Sequence, residues 1–114
     1  MQIQINSDRN VALHAKLSTF VESELHRVLH RFDRQLTRVE VHLSDGNGPK
    51  TGPQDKRCKL EVRPRGLQPL GVTGESHDLQ QSISGAAEKM KRHLEATFGR
   101  LAARRFDAPQ PTYF

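Results

Sequence analysis

Lys56-Arg57-Cys58-Lys59-Leu60-Glu61-Val62-Arg63 decides how this chain is read. Side chains alternate across a β-strand, so Cys58, Leu60 and Val62 share one face while Arg57, Lys59, Glu61 and Arg63 share the other. The apolar face must be buried against another layer. The opposite face carries three cations and one anion, a balance that suits a phosphate-rich partner better than plain solvent contact requires.

The segments on either side show the same two periodicities. Ile3 and Ile5 point one way in a short first strand, and Asn6-Ser7-Asp8 offers turn and capping chemistry before a helix expected to run to about Phe32–Arg34. Along that helix Leu17, Val21, Leu25, Val28, Leu29 and Phe32 recur at three- and four-residue steps and form one apolar stripe. Val39, Val41 and Leu43 face inward in a second strand at about Thr37–Ser44. Asp45-Gly46-Asn47-Gly48-Pro49, continuing through Gly52-Pro53, reads as a flexible loop. Beyond the basic strand, Pro64-Arg65-Gly66 reads as a tight connection. Leu70 and Val72 mark a fourth strand that Pro69 assigns to an edge or bulge. Asp78 can cap a second helix with the stripe Leu79, Ile83, Ala86, Ala87, Met90, Leu94, Phe98 and Leu101.

The order β-α-β-β-β-α predicts an α+β fold, a two-layer sandwich in which two helices cover one face of a four-stranded sheet. The first two strands, joined through a helix, should be parallel with a right-handed crossover. One domain over residues 1–104 is expected, followed by a short, loose tail at 105–114, where Pro109 and Pro111 argue against helix. A chain of 114 residues holds one core, and a hydrophobic share of 34% makes that core economical.

Charge is placed unevenly. Residues 1–49 hold six Lys/Arg against six Asp/Glu, whereas residues 50–114 hold twelve against seven, so the net +5 lies in the second half. Such asymmetry favours an anionic partner. On the first helix Lys16, Arg27, His30, Arg31 and Arg34 project opposite the apolar stripe. On the second, Ser82, Gly85, Lys89, Arg92, Ala96 and Arg100 form one flank, with His93 beside it and Lys91 on the opposite side. Its small residues would let a backbone approach between long cations. Glu88 and Glu95 are spaced to offset Lys91 and Arg92. Few aromatics are present, and Tyr113 and Phe114 are the candidate exposed rings. That disfavours base stacking and points to backbone and shape recognition of folded RNA, for which the arginine fork is well suited.

Val39-Glu40-Val41-His42-Leu43-Ser44-Asp45, Asp55-Lys56-Arg57-Cys58-Lys59-Leu60-Glu61-Val62-Arg63-Pro64 and Gly85-Ala86-Ala87-Glu88-Lys89-Met90-Lys91-Arg92-His93-Leu94 occur here in order. On these segments the chain resembles the ribosome hibernation promoting factor and ribosome-associated inhibitor family, over roughly residues 1–102. The resemblance implies a cytosolic bacterial stress factor on the small ribosomal subunit and its rRNA, lodged where mRNA and tRNA would sit and holding ribosomes idle. It matches Lys89 and Arg92 to the family's basic second helix, and Lys56, Arg57 and Lys59 to its basic strand. Arg27, Arg31 and Arg34 rest on the helical-face argument; Arg63, Lys91 and Arg100 complete the candidate RNA-binding set. The chain ends soon after the second helix, and its tail is not the acidic extension of the inhibitor branch, which suggests a short form. Whether it acts alone or beside a separate ribosome-dimerising factor stays open at this stage. Off the ribosome a monomer is expected.

Other chemistries find little support. Cys58 is the only cysteine, which excludes an internal disulfide, and its inward position makes it a small core residue rather than a reactive thiol. His26 and His30 have the spacing of two zinc ligands but no third ligand in sequence. His42 with Ser44 and Asp45 lacks a nucleophile elbow. Gly46-Asn47-Gly48-Pro49-Lys50 lacks the Gly-Lys-Ser/Thr ending of a phosphate loop. No segment reaches the ~20 apolar residues of a membrane span. No enzyme activity, cofactor, metal or small-molecule substrate is expected. Two rival functions stand beside the ribosomal one, a protein-interaction module acting on a sigma factor and a general binder of structured RNA.

Overall fold

The computed structural model describes residues 1–46 and 55–107. Strands β1 (Gln2–Ser7), β2 (Leu36–Asp45), β3 (Lys56–Pro64) and β4 (Leu70–Ser76) form one sheet in that spatial order. β1 runs parallel to β2, and β2–β3 and β3–β4 are antiparallel. Helices α1 (Ala15–Leu29) and α2 (Leu79–Asp107) supply the second layer, so the order is the expected β-α-β-β-β-α.

The parity of β2 and β3 builds the core. Val39, Val41 and Leu43 lie opposite Val62, Leu60 and Cys58 in register, all with almost no exposure. Val21, Leu25 and Leu29 of α1 and Ile83, Ala86, Ala87, Met90 and Leu94 of α2 close over them. Burial pushes the Cys58 thiol up to about 12, so at neutral pH it is a packed, unreactive group. β4 sits at the sheet edge, directly after Pro69.

Three local expectations are corrected. Asp8 does not start α1: its carboxylate accepts the Asn10 N–H at 2.9 Å and the Asp45 N–H at 3.4 Å, tying the ends of β1 and β2 together. The helix begins seven residues later, at Ala15, where His14 Nδ1 accepts the Leu17 N–H at 3.1 Å. At its other end α1 stops at Leu29 and tightens into a 3-10 turn, His30–Phe32. The third correction concerns Ser82. It is buried rather than offered to a partner, because β4 packs against α2 through Gly74.

A Cβ on Gly74 would stand 2.2 Å from the Ser82 carbonyl oxygen and 2.7 Å from the Ala86 nitrogen. Both are backbone atoms of α2, so the helix itself would have to move. The cap of α2 is as expected, Asp78 accepting the Gln80 N–H at 2.9 Å, but the helix continues to Asp107, three residues into the segment expected as a loose tail. The Asn47–Pro53 part of the expected loop and the last residues of the expected tail lie outside the described residues.

Gly74→Ala should therefore lower unfolding free energy by about 3 kcal/mol, measured by urea titration. Gly71→Ala, whose Cβ meets neighbours only at 3.7 Å and beyond, should change it by no more than about 0.5 kcal/mol. Gly85→Ala, with open space around the added methyl, should stabilise the helix by roughly 0.5–1 kcal/mol.

Candidate nucleic-acid interface

The candidate cations do not form one patch. Arg57, Lys59 and Arg63 stand on the open face of the sheet, opposite the layer that carries the helical cations. Each strand cation follows from parity: with Cys58, Leu60 and Val62 inward, 57, 59 and 63 must point out.

Carboxylates separate the cations further. On the open sheet face Lys59 Nζ lies 3.3 Å from Glu61, Arg57 lies 3.7 Å from Glu75 of the adjacent strand, and Arg38 lies 2.9 Å from Glu40. Glu40 also stands 3.9 Å from His42. Lys56 is half-buried between Asp45 and Asp55, 3.1 Å from each, and clasps the two ends of the β2–β3 connection. These carboxylates hold the Lys56 ammonium above its usual range, the Asp55 contact contributing most.

The layer of helices shows the same division. Arg27 Nε donates to Glu24 at 2.8 Å, while the other Glu24 oxygen accepts from Ser84 of α2. The Arg27 bond, first, holds the Glu24 carboxyl below the ordinary glutamate range against the opposing effect of burial. Arg31 reaches across to Glu95 of α2 at 3.0 Å and lies over the Phe32 ring, 5.0 Å from its centroid. Phe32 in turn stacks on Phe98 at 5.7 Å. Arg27 and Arg31 thus belong to the joint between the helices.

Because Glu95 is taken by Arg31, it does not offset Arg92 as its helical spacing suggested. Among the described residues no carboxylate lies within 4.0 Å of Arg34, Arg63, Lys89, Lys91, Arg92 or Arg100. Lys89 Nζ donates to the Thr73 carbonyl at 2.7 Å, closing part of the free edge of β4. Arg92 projects freely from α2, and Arg100 touches only Thr97 Oγ1 at 3.5 Å. Of the small residues on this flank, Gly85 keeps open space around its Cα and Ser82 does not.

Two cations outside the expected set, Arg38 and Arg65, prove close to the site. Arg38 faces Arg63 across the β2–β3 register, and Arg65 Nε donates to the Arg34 carbonyl at 3.0 Å. Only the register could have revealed the first, and only the folded turn the second. Among the described residues no three of His, Cys, Asp and Glu gather as a metal site, and no helix is long and apolar enough to cross a membrane.

A family model described as Sigma 54 modulation protein / S30EA ribosomal protein matches residues 3–102, nearly the whole chain. The chain belongs to this family. A solved ribosomal subunit interface protein from Coxiella burnetii is similar, with TM-score 0.72 and 18% identity, covering 87% of this chain and 99% of its own. The N-terminal domain of Thermus thermophilus Protein Y is also similar, with TM-score 0.68 and 22% identity, covering 85% and 99%. At these identities the two structures establish the S30EA fold. No curated protein sequence matches the chain. Within this family layout, the candidate RNA-binding cations lacking a carboxylate among the described residues fall on α2 and at the end of the sheet that bears Arg34 and Arg63.

Glu24 makes the helix joint sensitive to acid. Its lowered carboxyl contributes stability that is complete above the ordinary glutamate value of about 4.3 and is lost as pH falls through the lower folded value. Glu24→Gln should cost about 1 kcal/mol at pH 7. It should also flatten the decline in stability below about pH 5, followed by denaturant unfolding across pH.

Proposed function

We propose that this protein is a hibernation factor. It binds the small ribosomal subunit through its rRNA, occupies the channel for mRNA and tRNA, and holds ribosomes idle during stress or stationary phase. It works in the cytosol by charge and shape, with no chemical step of its own. The observation that carries this reading is the α2 flank, where Lys89, Arg92 and Arg100 are exposed without a carboxylate beside them among the described residues. A cation paired with a carboxylate must give up that partner before gripping a phosphate, whereas Arg92 and Arg100 have no carboxylate to give up and Lys89 has only its bond to the Thr73 carbonyl. Membership of a family whose description includes a ribosomal protein supports the choice of RNA.

The sigma-factor reading would need a desolvated apolar centre in the interface. Leu13 is the one large apolar side chain that the described surface exposes. The open face of the sheet is instead a lattice of ion pairs, which offers a protein partner no such centre.

Binding of vacant small subunits should weaken steeply with salt. With about four phosphates neutralised, affinity should fall roughly a hundredfold between 50 and 200 mM. Arg92→Glu combined with Arg100→Glu should reduce co-sedimentation at least tenfold while the melting temperature stays nearly constant, since both side chains are exposed and neither belongs to the buried core. Salt-insensitive binding, or full co-sedimentation by that variant, would reject the α2 flank as the contact.

A further inference from the structure

We propose that Arg34, Arg63 and Arg65, where the α1–β2 and β3–β4 connections meet, form a preorganised phosphate clamp that seats a second stretch of folded RNA backbone beside the α2 contact. This rests on the RNA-binding reading above and adds to it a separate site with its own residues.

The two connections are fastened to each other. The Arg65 N–H donates to the Gln35 carbonyl at 2.8 Å, and Thr37 Oγ1 donates to the Arg63 carbonyl at 2.9 Å. The register between β2 and β3 shifts here, from Leu36↔Pro64 to Arg38↔Arg63, so a bulge re-aims the side chains at this end. Gly66, at φ 71°, turns the chain back immediately after Arg65. The Arg65 guanidinium spends its Nε on the Arg34 carbonyl, which fixes the plane of the fork and leaves its two terminal nitrogens to donate outward.

No carboxylate among the described residues lies within 4.0 Å of the three. The nearby acids are already engaged: Asp33 with the Met1 amino group at 2.9 Å, Glu40 with Arg38, and Glu61 with Lys59. Arg38 stands opposite Arg63 across the ladder, but Glu40 takes its charge, so Arg63 is the member of that pair left for an anion. The Arg65 fork, held by its bond to the Arg34 carbonyl, matches phosphate oxygens in pairs, and its preorganisation reduces the side-chain entropy lost on binding. α2 runs back along the sheet until Phe98 stacks on Phe32, two residues from Arg34, so the clamp and the α2 flank lie toward the same end.

The test uses the full chain and vacant small subunits. Arg34→Gln with Arg63→Gln removes two guanidiniums that make no hydrogen bond among the described residues, and Arg65→Lys keeps charge but removes the fork. The double variant should bind at least tenfold more weakly near 0.1 M salt, and the slope of log affinity against log salt should fall by about two, one per lost phosphate. Arg65→Lys should weaken binding severalfold with an unchanged slope. A photo-crosslinker at Gln68, exposed beside the clamp, should join rRNA. An unchanged affinity and slope in the double variant, or crosslinks confined to a ribosomal protein, would overturn the clamp while leaving the α2 contact standing. Failure of the unmodified protein to bind at all would overturn both.

Discussion

Burial of one face of the β2–β3 ladder is the constraint from which the other features follow. Val39, Val41 and Leu43 meet Val62, Leu60 and Cys58 in register, and each is removed from water. A fully buried aliphatic side chain contributes about 1.5–3 kcal/mol, so slipping this pair by one residue would expose the whole set. That cost locks the parity of every neighbouring position. Arg57, Lys59 and Arg63 are therefore fixed on the open face as firmly as Leu60 is fixed in the core, whatever partner they meet.

The same register then determines which of those cations are available. Arg57 stands opposite Glu75, and Lys59 shares its strand face with Glu61. Exposed pairs of this kind add little stability, commonly below about 1 kcal/mol. Their larger effect is on potential. They turn a face that is basic in one strand into one that is nearly balanced in three dimensions. Among the described residues of α2 no carboxylate pairs with Lys89, Lys91, Arg92 or Arg100, and Glu95 is drawn away to Arg31 and the joint with α1.

Much of this architecture was legible in the sequence because it depends on local periodicity. Alternation in residues 56–63 and the stripe from Leu79 to Leu94 each point to a buried face without knowledge of the other. What escaped depends on meetings between distant segments. Asp8 has the chemistry of a helix cap, yet it finds the Asp45 N–H, 37 residues away. Ser82 looked like a gap for a partner, yet Gly74 fills it from inside the protein. Among the candidate cations, charge and helical face were readable, but pairing was not: Lys56 and Arg57 are neighbours in sequence, one wedged between two aspartates and the other outside.

Arg31 shows why pairing matters more than exposure when an interface is inferred. It is more than half exposed and sits on the expected helix face, so by surface position alone it is as good a phosphate ligand as Arg34. Yet its guanidinium holds Glu95 and covers Phe32, and Phe32 stacks on Phe98 of α2, which packs against the core beyond Leu94. Drawing Arg31 toward RNA would uncover that aromatic stack and strand Glu95 beside the incoming phosphates. The repulsion would offset the new contact. Arg34, three residues further on and past the 3-10 turn, carries no such duty: its carbonyl does the structural work through Arg65, and its side chain has no carboxylate within 4.0 Å among the described residues. Division of backbone from side chain within one residue is what would let an arginine serve both fold and partner.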